Sequence, residues 1–178
     1  MQPRLFWLVA PAVLVGAPAH AEQYLTIAQA QAALFPAGTG FTRLDITLSP
    51  AQIEAIEDDS GQRVREPKPA VWRARAGDKP AGWFLVDNVI GKHEFITYAL
   101  ALDAAGAVQG IEILDYRETY GGEIRRAEWR MQFLGKRHGD AFKLGGTIRN
   151  VTGATLSCRN VMNGVLRLLS MRSLVLSK

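Results

Sequence analysis

Phe95-Ile96-Thr97-Tyr98-Ala99-Leu100-Ala101-Leu102-Asp103, the triplet Ala104-Ala105-Gly106, and Val108-Gln109-Gly110-Ile111-Glu112-Ile113-Leu114-Asp115-Tyr116 decide the fold. The two outer runs carry β-branched and aromatic residues, and the glycine-containing triplet between them makes a hairpin turn. In the second run Ile111 and Ile113 fall on one face and Glu112 on the other. Upstream, Val71–Ala76 and Trp83–Ile90 read as two more strands. Four consecutive strands joined by short connections predict an antiparallel meander, with one face on helices and the other toward water or a ligand.

Helical signals surround the meander. Thr26 caps a segment to Leu34 that Pro36 closes, and Ser49-Pro50-Ala51-Gln52 is a capping box with proline at the first helical position and Gly61 after the end. Arg63 to Pro69 is charged, contains two prolines and reads as a surface connection. After the meander, Glu123 to Phe133 reads as a helix bearing Ile124, Ala127 and Met131 on one side and ended by Gly135. Leu144 to Val151 is expected as a further strand. From about Ala154 to Leu169 a helix carries Val161, Val165, Leu168 and Leu169 on one side, with Arg159 and Arg167 elsewhere on its surface. That helix either packs on the sheet or lies on a membrane. The expected class is α+β, an antiparallel β-meander packed against helices.

Composition narrows the function. With 178 residues, 48% hydrophobic and 21% charged, the chain is neither a disordered tail nor a polytopic membrane protein. The single Cys158 excludes a disulfide framework and any multi-cysteine zinc or iron–sulfur site, and is expected to be a buried small hydrophobe. A net charge of +4 with dispersed Arg and Lys gives no nucleic-acid footprint, so no nucleic-acid partner is expected.

The N-terminus pairs Arg4 with an apolar stretch from Leu5 to Val15 and an Ala19-His20-Ala21 ending. This is the pattern of a Sec-type export signal over 1–21, cleaved before Glu22, which predicts a periplasmic protein. An uncleaved anchor is the alternative. The division expected on this reading is 1–21 signal, 22–81 a helical and extended segment packing on the core, and 82–178 the main domain.

Thr152-Gly153-Ala154-Thr155-Leu156-Ser157 stands between an expected strand and an expected helix. The first N–H groups of a helix lack partners and, with the helix dipole, attract anions. Gly153 and Ala154 allow close approach, and Thr155 and Ser157 place hydroxyls beside a bound phosphate. The bland alternative is a Thr-capped helix start with small residues for tight packing. Upstream stands Glu118-Thr119-Tyr120-Gly121-Gly122.

Together these two segments, in this order and with the strand–turn–strand Phe95–Tyr116 before them, resemble the FMN-binding domain family. That family includes the C subunit of sodium-translocating NADH:quinone reductase and the G subunit of the Rnf complex. The resemblance covers roughly 82 to 170. It implies an FMN-binding fold, with FMN attached covalently by a phosphoester to Thr155 and installed by a flavin transferase from FAD. It implies cofactor contacts from Thr152, Gly153, Ala154, Leu156 and Ser157, and from Glu118, Thr119, Gly121 and Gly122. It also implies an electron-transfer protein or subunit rather than a stand-alone enzyme, with a membrane redox complex or another electron-transfer protein as partner. The chain departs from the family at Arg149, where an aspartate is usual, and at Tyr120, where a proline is usual.

Two other readings stay open. Arg149 leaves room for a binding or scaffold module without covalent flavin. Thr155 or Ser157 could act as a hydrolase nucleophile with His138 as base, although no third orienting group is evident. Lys92-His93-Glu94 either gathers at a metal or flavin edge or is a surface loop. Most of Trp72, Trp83, Tyr98, Tyr116 and Trp129 are expected in the core, with Tyr116 and Tyr120 the aromatic residues nearest a flavin ring.

Overall fold

The computed structural model describes residues 22–177. The export signal expected over 1–21 lies outside the described residues. In chain order the elements are β1 (Glu22–Gln23), α1 (Ile27–Leu34), β2 (Thr39–Leu44), α2 (Pro50–Ser60), β3 (Ala70–Ala76), β4 (Lys79–Ile90), β5 (Phe95–Asp103), β6 (Val108–Tyr116), α3 (Ala127–Arg130) and α4 (Thr155–Met171). The strands form one antiparallel sheet in the order β1-β6-β5-β4-β3-β2. This is the α+β meander the chain signals.

Local chemistry starts both early helices. Thr26 and Ser49 each accept the backbone N–H three residues on, while Gln29 and Gln52 reach back to the cap N–H. Both orphan donors of each capping box are thereby satisfied.

The meander is buried on both faces. Ile96, Tyr98, Leu100 and Leu102 of β5 join a core with Ile111, Ile113 and the apolar side of α4, whereas Ala99 and Ala101 face Phe84, Trp72, Phe35 and Ala30 of α1. The expectation of a face left to water or ligand is therefore corrected. The small side chains of Ala99 and Ala101 leave room for α1, and the edge-to-face rings of Phe35, Phe41, Phe84 and Trp72 complete that layer. The 22–81 segment also supplies β1 and β2, which occupy the two edges of the sheet. Its boundary at 81 falls inside β4.

Three local expectations are corrected. Glu123–Phe133 is not one helix: 3-10 turns at Gly122–Arg125 and Met131–Phe133 flank the four-residue α3, because Arg126 is extended at φ −65°, ψ 138°. The buried side chains are Ile124, Trp129 and Phe133, while Met131 is 56% exposed. Leu144–Val151 is a loop in which Leu144 bridges only to Ile148, since Gly145 at φ +80° folds the chain back. Strand β4 begins at Lys79 because Gly77-Asp78 makes a tight hairpin with β3.

Arg167 is not on the surface. It lies in the interface of α4 with β4, 2.6 Å from Asp87 Oδ2, and donates to the Arg63 carbonyl at 3.0 Å. Tyr98 donates its hydroxyl to the same Asp87 oxygen at 2.8 Å. Burial, with the Asp87 charge beside it, pushes the Tyr98 phenol well above the ordinary tyrosine range. Arg167→Ala leaves Asp87 without its cation in a largely dry site, so unfolding free energy falls by about 2 kcal/mol. Chemical denaturation measures this, and an unchanged midpoint would show the pair to be dispensable.

Candidate functional site

The β4–β5 hairpin tip, the loop after β6 and the start of α4 meet at one end of the sheet and enclose a cleft of about 600 Å3. That volume is in the range of sites that bury small ligands. One wall is Gly153 to Ser157, another is Glu118 to Tyr120, and the third is Lys92 and His93.

The α4 wall follows from local sequence. Gly153 holds φ +83°, a left-handed conformation that bulkier residues resist, and so turns the chain into the helix. Ala154 at the N-cap offers no side-chain cap, so the first-turn N–H groups of α4 are not satisfied in that way. Thr155 is half-buried on the cleft wall, and its Oγ1 accepts from Asn150 Nδ2 at 2.9 Å. Leu156 is 42% exposed at the rim. Ser157 is buried at the base, 3.4 Å from the Tyr116 hydroxyl, which itself donates to the Tyr120 carbonyl at 2.5 Å. Thr152 is exposed and lies outside the cleft lining.

The Glu118–Gly122 loop docks onto that helix start through a glycine. A Cβ on Gly121 would stand 2.5 Å from the Ala154 Cβ and 2.8 Å from the Tyr116 hydroxyl. Gly121 and Gly122 line not this cleft but a second one of about 610 Å3 behind the loop, beside Tyr24, Arg125 and Arg126. Arg125 stacks its guanidinium 4.1 Å from the Tyr24 ring centroid. Thr119 and Tyr120 are exposed at the mouth, Tyr120 by 79%.

Glu118 is half-buried, and its Oε1 accepts the backbone N–H of His93 at 2.5 Å and of Glu94 at 3.0 Å. Burial raises its carboxyl pKa, but the N–H groups of Glu94, His93 and Lys92 outweigh it and hold the group below the ordinary value of 4.5. A depressed carboxyl contributes stability that is present above the unfolded value and lost as pH falls through the folded one. Stability of the wild-type protein should therefore drop more steeply below pH 4.5 than that of Glu118→Gln. Denaturation series from neutral pH downward check this, and parallel curves would refute it.

The sequence leaves Lys92-His93-Glu94 between a metal or flavin edge and a surface loop; the structure brings Lys92 and His93 onto the cleft wall, both of them exposed. The usable signal was their place at a hairpin tip whose flanking residues Ile90 and Phe95 pair at the sheet end. Asn150 and Tyr116 were not singled out as partners of the motif hydroxyls, because both contacts depend on how loops fold back. His138 pairs with Asp59 of α2 at 2.7 Å and does not line the cleft, which removes the base from the hydrolase reading. Arg149 is exposed; its backbone N–H donates to Gln132 at 2.7 Å and its carbonyl accepts from Trp129 at 2.9 Å. Cys158 is fully buried, and burial raises its thiol pKa.

The fold is similar to the crystal structure of Shewanella oneidensis NqrC, with a TM-score of 0.52 and 13% sequence identity over 82% of this chain and 88% of that one. No curated protein sequence matches the chain significantly. Residues 91–170 match the FMN-binding domain, and the match takes in the hairpin tip, the Glu118–Gly122 loop and most of α4, which is every wall of the cleft. Over that stretch, just under half of its length, the chain is similar to the FMN-binding domain family.

Proposed function

We propose that the protein is an exported electron carrier whose FMN is held in this cleft by a phosphoester to Thr155 Oγ1. The observation that carries the reading is the convergence, on one cleft, of the helix start Gly153–Ser157 with the Glu118–Tyr120 loop. The residues fit the group. An uncapped helix start suits a phosphate, Gly153 leaves its backbone open to it, and Tyr120 and Leu156 are exposed on the cleft lining.

Attachment is a transfer from FAD on a flavin transferase. Thr155 Oγ1 bonds to the phosphorus on the flavin side, the pyrophosphate P–O bond breaks, and AMP leaves with the bridging oxygen. The hydroxyl proton goes to a base of the transferase. Asn150 Nδ2, donating to Oγ1 at 2.9 Å, restrains that hydroxyl. Outside the cytoplasm, where FMN is scarce, a reversible carrier would lose its cofactor by mass action, and a phosphoester prevents this. The bound flavin supplies reversible electron uptake; the chain's own residues hold it, leave an edge open at the mouth, and set its electrostatic surroundings. A membrane redox complex is the proposed partner. Among the described residues no helix is long and apolar enough to cross a membrane.

Co-expression with a flavin transferase tests the reading. The expected result is an intact mass raised by one FMN moiety and a yellow colour retained through acid precipitation. A colourless chain, beside a control substrate modified in the same cells, would overturn it. That outcome favours the second reading, a scaffold module without covalent flavin, for which the exposed Arg149 in place of the family's aspartate is the specific observation.

A further inference from the structure

We propose that Lys92 and His93, presented by a hairpin that Glu118 fixes, form the wall that meets the reducible ring and favours its reduced form. This rests on the flavin reading above. The tip Gly91–Glu94 is closed by Gly91 N–H to the Glu94 carbonyl at 2.8 Å. It is then held from two further sides. Glu118 takes the N–H groups of His93 and Glu94, and Asn160 of α4 donates to the Ile90 carbonyl at 2.5 Å. Gly91 is buried beneath the Glu118 carboxylate, and a Cβ there would collide with it. So many anchors on a four-residue tip leave the backbone rigid while Lys92 and His93 stay exposed and line the same cleft as Thr155.

With a phosphate at the α4 start, a ring in the same cleft is bounded by that tip and by Glu118 to Tyr120. Electrons arriving from a donor redox protein place negative charge on the ring before a proton follows. A Lys ammonium and a His N–H stabilise that charge and do little for the oxidised form. The other charged groups near the tip are Glu94, Glu118 and Arg117. Glu118 has the wrong sign to help the reduced ring directly. Its carboxylate is instead engaged by backbone N–H groups, which makes it a positioning residue.

The test is the midpoint potential of flavin-loaded protein by dye-coupled spectrophotometric titration, after intact mass has verified the adduct in each variant. Lys92→Met together with His93→Gln should weaken reduced relative to oxidised flavin about tenfold, a midpoint lower by about 30 mV for a two-electron couple. Both side chains are exposed, so these variants fold. Glu118→Ala should lower the potential in the otherwise wild-type protein, but not in the Lys92→Met/His93→Gln background, where only the removal of a negative charge remains. Loaded variants whose potentials match wild type, or a Glu118→Ala shift that is equal in both backgrounds, would overturn the inference. Absence of the adduct in wild-type protein would instead overturn the flavin reading beneath it.

Discussion

Thr155→Val is expected to abolish covalent FMN attachment while leaving the fold standing. Valine keeps the branched shape of threonine and lacks only the nucleophilic oxygen. Thr155 is half-buried, and its recorded side-chain hydrogen bond comes from the exposed Asn150. Losing that bond costs about 0.5 kcal/mol, a shift in Tm of about 2 °C at most. Intact mass then shows the bare chain, while circular dichroism and Tm stay near wild type. Thr155→Ser retains a hydroxyl in the same place and should retain the adduct. An adduct surviving in Thr155→Val would move the linkage to another hydroxyl. Ser157 is a poor candidate because it is buried against Tyr116, and Thr152 is a poor one because it lies outside the cleft lining.

Gly121→Val should give the largest stability loss, about 4 kcal/mol. Two costs combine there. Gly121 sits at φ +88°, a region that β-branched residues avoid, and its missing Cβ is the gap into which Ala154 and the Tyr116 hydroxyl fit. A side chain must push the Glu118–Gly122 loop off the helix start, and with it the Tyr116 bridge to Tyr120 and Ser157. The denaturant midpoint should fall with the m-value unchanged, and flavin loading should fall with it. Gly135→Ala is the control. Gly135 has a similar φ of +74° but nothing within 4 Å of an added Cβ, so only the backbone cost applies, about 1 kcal/mol. Equal losses at both positions would show that the contact with Ala154 carries no weight.

Local signals sufficed for the elements whose cause is local. Thr26, Ser49, Pro50 and Gly61 mark helix ends because a cap is a contact between residues three or four apart. Runs of β-branched and aromatic residues mark β5 and β6, and Glu112 between Ile111 and Ile113 adds a local alternation in β6, because strand preference is carried residue by residue. The Thr152–Ser157 and Glu118–Gly122 segments were legible as candidate site elements for the same reason: each is a short run of small and polar residues whose usefulness lies in its own backbone.

What depended on distant parts of the chain could not be read this way. The second sheet face is closed by α1, the buried place of Arg167 is set by Asp87 and Tyr98, and the breaks in Glu123–Phe133 follow from which apolar residues reach the core. In each case the deciding partner is many residues away, so no window along the chain contains both halves of the contact. The cleft is the clearest instance. Lys92 and His93 look like a solvated turn until Glu118, twenty-five residues past His93, takes the backbone N–H groups of His93 and Glu94 and ties the tip to the cleft that Thr155 also lines. Spacing along the chain named the hydroxyl; packing alone chose what stands opposite it.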